Sequence, residues 1–389
     1  MRRAVTVALV AWPAIAAAQR PILAGEQTLG RGDVLVHYAT TGGDAVPATD
    51  ANTDGVPDFV AEVANEAQLA FDRFAAVGFA RPLRDTLGGD DRIDIYLRDL
   101  VSADGNAGTD TCSGGTCVGY AVAENDYRGY AYPTVTEGIR SVVPHELFHL
   151  VQYAYAMEQP STWSEGTAVW AVEQLYGDGN SDFERFVPAF LAKTFRPYER
   201  GGGGFGDAYP YGAALWPQFL TKRFGVGIVV DAWVACRDAG ALEAIDIALR
   251  ARGSSFDAEW VALTRDNAFA KPLPPREQAN AQTIYIEGLS ARYVPFDLAT
   301  PMQLELVTTS KIAAALVTAS ETIEIDGPTI VEPGSYLLVV TGLARGTIAT
   351  SVELRVTEPE PDDGGGGCAS SRPSLAVALA LLAFARRKR

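Results

Sequence analysis

Five consecutive residues, His145-Glu146-Leu147-Phe148-His149, carry the most specific chemistry in the chain. Histidines four apart stand one above the other on a helix face. Both imidazoles can then reach one Zn²⁺ at about 2.0–2.1 Å. Glu146 falls beside that ion, placed to take a proton from a zinc-bound water as general base. Zinc lowers the pKa of such a water toward about 7 and polarises a scissile carbonyl. The chemistry implied is attack of a zinc-activated water on a carbonyl. The chain has only three histidines, so two of them falling into this pattern carries weight.

Zinc needs a further protein ligand, and His37 lies far off in sequence. Glu165 follows His149 by 16 residues, in Trp163-Ser164-Glu165-Gly166-Thr167-Ala168. If this stretch is a second helix joined to the first by a short turn, its carboxylate can reach the metal, and Gly166 lets the backbones approach. A rival reading makes Thr162 and Glu165 a capping box, with the glutamate folded back on the helix start. Glu173 is a weaker substitute as ligand.

The elements that hold these groups follow from periodicity. Ser141 to Met157 reads as the metal helix, with Ser141 as cap and Pro144 in the first turn, where a missing N–H costs little. Thr162 to Leu175 is the next helix. Pro57 to Val77 repeats apolar residues at helical spacing. Asp33 to Ala39, Arg92 to Leu97, Gly119 to Val122 and Gly129 to Val135 read as strands. Further helices are expected at Asp182–Lys193, Tyr211–Phe224, Ile228–Arg237 and Leu242–Arg250. Lys271-Pro-Leu-Pro-Pro275 marks a boundary. Beyond it short β-like runs alternate with turn residues, as in a β-sandwich. The fold class is therefore α+β: a catalytic region over 19–272, then a small all-β sandwich domain over 276–357.

Asp50, Asn52, Asp54 and Asp58 repeat side-chain oxygens at the spacing of a calcium loop, with Gly55 at the turn. The glutamate that closes such a loop is missing, since Ala61 stands there. The other reading is an Asx-rich turn capping the following helix.

The 389 residues carry a net charge of -16, which repels nucleic acid and anionic lipid. Residues 1–18 have a basic start, an apolar run too short to span a bilayer and the small residues Ala16-Ala17-Ala18, the pattern of a secretory signal peptide. The stretch after Leu97 reads as a glycine-rich loop carrying Cys112 and Cys117, which suit a short disulfide in an exported protein. Cys236 reads as a buried thiol. Residues 358–389 run from an acidic and glycine-rich linker through Cys368 and an apolar stretch to Arg386-Arg387-Lys388-Arg389.

At His145 to His149 and Glu165 the chain resembles the gluzincin metallopeptidases, a zincin-like fold. Within them it is similar to a group of secreted metallopeptidases of myxobacteria. The shared features are the Asp/Asn-rich loop, the Pro-His-Glu-Leu-Phe-His stretch and the Glu-Gly-Thr-Ala stretch, and the likeness spans roughly residues 30–270. It implies peptide hydrolysis with Glu146 as base. The thermolysin-like pattern places an aspartate four residues after the ligand glutamate to orient a histidine; here Val169 stands there, so that role must fall elsewhere. Tyr209-Pro-Tyr211-Gly212 resembles the Tyr-x-x-Gly of aminopeptidase-like gluzincins, which implies Tyr209 as the oxyanion donor, with Tyr211 as alternate. The tail resembles the myxobacterial C-terminal sorting signal. That implies cleavage by a sorting protease, attachment to the cell envelope through processed Cys368 and display on the outer cell surface; the other reading is an unprocessed anchor. The expected partner is a protein or peptide substrate, and the expected cofactors are Zn²⁺ and, at the loop, Ca²⁺. A catalytically inactive zincin-fold protein that binds at the cell surface is the rival function.

Overall fold

The computed structural model describes residues 19–84, 86–177, 182–202, 206–270, 273–346 and 348–359. The expected leader 1–18 and the sorting tail with Cys368 lie outside the described residues.

The first sheet holds strands β1 (Gln27–Arg31), β2 (Val34–Tyr38), β3 (Ile93–Arg98), β4 (Gly105–Ser113) and β5 (Thr116–Glu124) in the order β1-β2-β3-β5-β4. β2, β3 and β5 run parallel, while β1 and β4 are antiparallel edges. Alternation along β3 explains its two faces. Ile93, Ile95 and Leu97 join the main core, while Tyr96 joins a smaller cluster with Leu23, Tyr120 and Val122. The β4–β5 hairpin closes on Cys112 and Cys117, which face each other and form the expected disulfide. Cys236 is a buried free thiol.

Helices α1 (Asp58–Ala76) and α2 (Val135–Tyr153) contribute to this main core together with the inner side chains of the sheet. Phe148 on α2 stands edge-on to Phe74 and Phe79 at 5.1 and 5.0 Å between ring centroids. Burying such a ring contributes roughly 1.5–3 kcal/mol, enough to fix the rotation of α2. Helices α3 (Ser161–Tyr176), α4 (Asp182–Ala192), α5 (Tyr209–Gly212), α6 (Leu215–Phe224), α7 (Gly227–Ala235), α8 (Ala241–Arg250) and α9 (Phe256–Asp266) follow. Among the described residues, no helix is long and apolar enough to cross a membrane.

Four expectations change. The helix expected over Tyr211–Phe224 is two helices, α5 and α6, with a turn at residues 213–214 between them. The metal helix starts at Val135, not Ser141, because Thr134 accepts the Glu137 N–H at 3.2 Å while Glu137 returns to the Thr134 hydroxyl. Pro144 therefore sits inside the helix, and burial from Gly138 to Gln152 offsets its lost hydrogen bond. Residues 129–135 are not a strand: the hydroxyl of Tyr130 instead ties this loop to the carbonyls of Leu100 and Ala103, each at 2.6 Å. The glycine-rich segment before Cys112 is a strand, β4, held by pairing with β5.

The C-terminal strands form two sheets. One has the order β11 (Thr322–Glu324), β10 (Ile312–Val317), β13 (Gly334–Gly342), β8 (Ala291–Leu298), β6 (Glu277–Gln278). The other has the order β12 (Thr329–Val331), β9 (Met302–Val307), β14 (Ala349–Thr357), β7 (Gln282–Glu287). Ile284, Phe296, Leu304, Leu338 and Val352 share one core drawn from both sheets, which is the expected sandwich. The protein is thus α+β. The described residues on the two sides of the expected boundary pack on each other. Ala268 packs on the outer side chains Tyr293, Val317 and Val339, and the Tyr293 hydroxyl donates to Thr264 O at 2.7 Å. The Glu199 carboxylate accepts from the N–H groups of Leu289 and Gly346, both at 3.2 Å.

Candidate metal centre

On α2, His145 and His149 are both buried and present Nε2 to the same point. Glu165 reaches that point from α3. Its Oε2 lies 3.1 Å from His145 Nε2 and 3.4 Å from His149 Nε2, and the two nitrogens are 3.2 Å apart. Tetrahedral ligands at zinc bond lengths sit about 3.3 Å from one another. The three donor atoms therefore already have the spacing that a tetrahedral ion would impose. Among the described residues, they are the one group of three or more His, Cys, Asp or Glu side chains gathered closely enough to share an ion.

The rival reading of Glu165 as a cap does not form. α3 begins after Pro160 with no side-chain cap, and the Thr162 hydroxyl donates to Tyr198 O at 2.8 Å.

The group that orients His149 is Gln152, which the sequence reading missed. Its Nε2 donates to Ser164 O at 2.8 Å, which fixes its Oε1 as the acceptor facing His149 Nδ1, also at 2.8 Å. Nδ1 must then carry the proton, leaving the Nε2 lone pair for a metal. The signal was present in the sequence: Gln152 is three residues past His149, on the same helix face. Gln152→Ala is expected to lower zinc affinity on the order of 10–100-fold, while Gln152→Glu keeps most of it. Competition with a graded chelator measures both.

Charge at the centre is uneven. Burial disfavours a charged His149, yet the Glu165 carboxylate overcomes it and raises the imidazole to about 9. Burial likewise disfavours a charged Glu165, and the two histidines reverse this, holding it well below the ordinary carboxylate range. Glu146 is raised, because burial outweighs the two imidazoles beside it. A carboxylate raised in this way is a better proton acceptor.

Tyr209 and Tyr211 part company. Tyr209 is fully buried against Phe190, and its hydroxyl donates to Arg196 O at 3.0 Å. Tyr211 stacks on the His145 ring at 5.8 Å and lines the cleft with Glu146. Two residues apart on one helical turn point about 200° apart, so only one of the pair can face the metal side. The structure places Tyr211, the alternate, beside His145, and turns Tyr209 away from it. Burial and the carboxylates of Glu165, Glu146 and Asp104 push the Tyr211 hydroxyl well above its ordinary value, so it stays a donor.

Two glycines bring Tyr211 there. A Cβ on Gly166 of α3 would come within 3.0 Å of the Ala213 backbone, and one on Gly212 within 2.3 Å of Phe186 O on α4. The three helices touch main chain to main chain. Gly166 does allow a close approach, but to the end of α5 rather than to α2.

The cleft has a volume of about 580 Å³ and is bordered by Asp104, Gly105, Tyr132, Asp182, Arg185 and Phe186 besides the metal-side residues. The other expected residues lie elsewhere. His37 is on the opposite face of the first sheet, its ring nitrogens 2.9 Å from Glu26 and 2.7 Å from Asp94. In the loop Asp50 to Asp58, side-chain oxygens accept backbone N–H bonds. Asp50 takes those of Asp54 and Gly55, Asn52 takes Asp54, Asp54 takes Val56, and Asp58 takes Ala51. Asp50, Asp54 and Asp58 are not gathered into one close group of carboxylates in this structure. Their arrangement is that of linked Asx turns before α1.

No family model matches the chain, and no curated protein matches it. Solved structures with local likeness include PliG, a periplasmic lysozyme inhibitor of g-type lysozyme from Salmonella Typhimurium. It is 11% identical, and the match covers 22% of this chain and 100% of the inhibitor at a TM-score of 0.18. The pre-peptidase C-terminal domain of a Bacillus anthracis collagenase is 17% identical, with 22% of this chain and 98% of that domain covered, also at 0.18. Likenesses this slight carry no weight for the metal centre.

Proposed function

We propose that the protein is an exported zinc-dependent peptidase of the gluzincin type. The observation that carries this reading is the triangle of donor atoms from His145, His149 and Glu165, with the buried Glu146 beside it and an open cleft in front. Three protein ligands with a free side suit a catalytic zinc site, since structural sites are closed by four. Zinc held there supplies polarisation of the substrate carbonyl and a readily deprotonated water.

The chain's own residues do the rest. Glu146, with its raised proton affinity, takes the proton of the attacking water and returns it to the departing amine. The Tyr211 hydroxyl, protonated and beside His145, donates to the oxyanion of the tetrahedral intermediate. His149 is held in register by Gln152. Export is supported by the leader pattern at residues 1–18 and by the disulfide between Cys112 and Cys117, and surface display by the tail at Cys368.

The test is metal analysis of the full chain together with cleavage of an unbiased peptide library. One zinc per chain and cleavage are expected. In the metal-free protein the His149 value lies above its ordinary 6.5, so its stabilising contact with Glu165 is complete below about 6.5 and lost as pH rises through about 9. Zinc must displace that proton. Uptake near neutrality should therefore release protons, and affinity should climb with pH up to about 9. No zinc at all would sink the proposal.

A further inference from the structure

Most of the charged groups along the cleft make hydrogen bonds or close ion pairs. Asp104 receives the Tyr132 hydroxyl. Asp207 is held by Lys193 and Arg196. Asp182 is buried, which raises its carboxyl, and it bonds to Ser141. Glu146 serves the chemistry proposed above. Arg185, on α4, is exposed, and among the described residues it makes neither, although its charge acts on the nearby Asp182 carboxyl and on Tyr132.

Its guanidinium is not loose, however. It lies over the Phe186 ring at 5.0 Å and near the Tyr132 ring at 5.9 Å. Aromatic faces hold the plane of an arginine without using its N–H donors. Phe186 in turn packs on Tyr211 at 5.1 Å, and Tyr211 on His145 at 5.8 Å. The charge therefore stands three ring contacts from the metal ligands, along one wall. An extended peptide advances about 3.3–3.6 Å per residue, so this wall spans the reach of a few substrate residues.

A pre-positioned guanidinium with free donors is built for a planar anion, and a carboxylate matches its fork with two parallel hydrogen bonds. We propose that Arg185 selects substrates carrying a carboxylate a few residues from the bond to be cut. This deepens the peptidase reading and rests on it for its biological meaning, though not for its test. The carboxylate has two sources: an aspartate or glutamate side chain, or the free C-terminus of the peptide. The first makes the protein an endopeptidase with an acidic subsite, and the second makes it an enzyme that trims from the C-terminal end. The chain's net charge of -16 opposes acidic ligands at long range, so the preference must arise by contact.

The experiment measures binding first, with the full chain carrying Glu146→Gln so that no bound peptide is consumed. Short peptides with an uncharged dye are compared in matched pairs. One pair differs by central glutamate against glutamine, both amidated; the other by a free against an amidated C-terminus. At least one pair should differ about tenfold or more in Kd, and the pair that differs names the source of the carboxylate. Arg185→Gln should abolish that difference while leaving the neutral member within about twofold. Arg185→Lys should keep part of it, having the charge without the fork. Equal affinity within both pairs, no measurable binding, or a preference that survives Arg185→Gln would overturn the proposal. Cleavage by the protein with Glu146 intact is scored separately. A carboxylate preference without any turnover leaves the Arg185 site standing and removes the peptidase reading; turnover without the preference does the reverse.

Discussion

Glu146→Gln is expected to keep one zinc per chain and to lose peptide cleavage by a factor on the order of 10²–10⁴. The substitution is nearly isosteric. His145, His149 and Glu165 are untouched, so the donor triangle and its spacing should persist. What disappears is the acceptor for the proton of the attacking water. The side chain is buried and raised in pKa by that burial, so the neutral amide also removes a costly buried charge. Stability should hold or rise slightly. Metal analysis and initial rates on one sample separate the two effects. Loss of zinc with loss of activity would make Glu146 a structural support of the site; unchanged activity would refute its role as base.

Tyr211→Phe and Tyr209→Phe are expected to behave as opposites although the residues stand two apart. Removing the Tyr211 hydroxyl should lower kcat on the order of 10²–10³ with little change in KM, the signature of a donor used mainly in the transition state. Tyr209→Phe should leave kcat alone. It removes a buried hydrogen bond to Arg196 O, at a cost of about 0.5–1.5 kcal/mol that thermal unfolding would detect. If both variants keep full kcat, the oxyanion is stabilised by something else. If Tyr209→Phe alone loses it, the sequence resemblance was the better guide and the placement of Tyr211 is wrong.

The parts of the molecule that could be read directly from residue order are those governed by short periods. Histidines at i and i+4 fix their own geometry, and Glu165 is the carboxylate that the next helix can deliver to them. Alternating residues in β3, the apolar run of β2 and the change of texture after residue 275 mark out the α+β layout. Other local signals are also present in the sequence. Thr134-Val135-Thr136-Glu137 is a capping box and marks the true start of α2. Ser255 caps α9, where Phe256, Trp260 and Leu263 recur at helical spacing, yet no helix was expected there.

The remainder was not local. The Gly-Asn-Ala-Gly stretch that opens β4 has poor strand propensity and is extended because β5 pairs with it. Which tyrosine faces the metal depends on how the four residues of α5 are rotated against α3 and α4. The Asp-rich loop shows the converse. Ligand-like spacing was legible, but whether the oxygens turn toward a cation or toward their own backbone depends on the loop's path.

The glycine contacts that join α3, α4 and α5 also say where this protein can drift over generations and where it cannot. With main chain against main chain at Gly166 and Gly212, a substitution has no side chain to absorb it and must move a whole helix. The frame that carries Glu165 and Tyr211 is therefore intolerant of gradual change. Arg185 hangs from the same frame but on its exposed side, where exchange disturbs no packing beyond two ring faces. Under the proposed function, descendants of this sequence could trade one diet of substrates for another at that single position while the residues around the candidate metal centre stayed fixed.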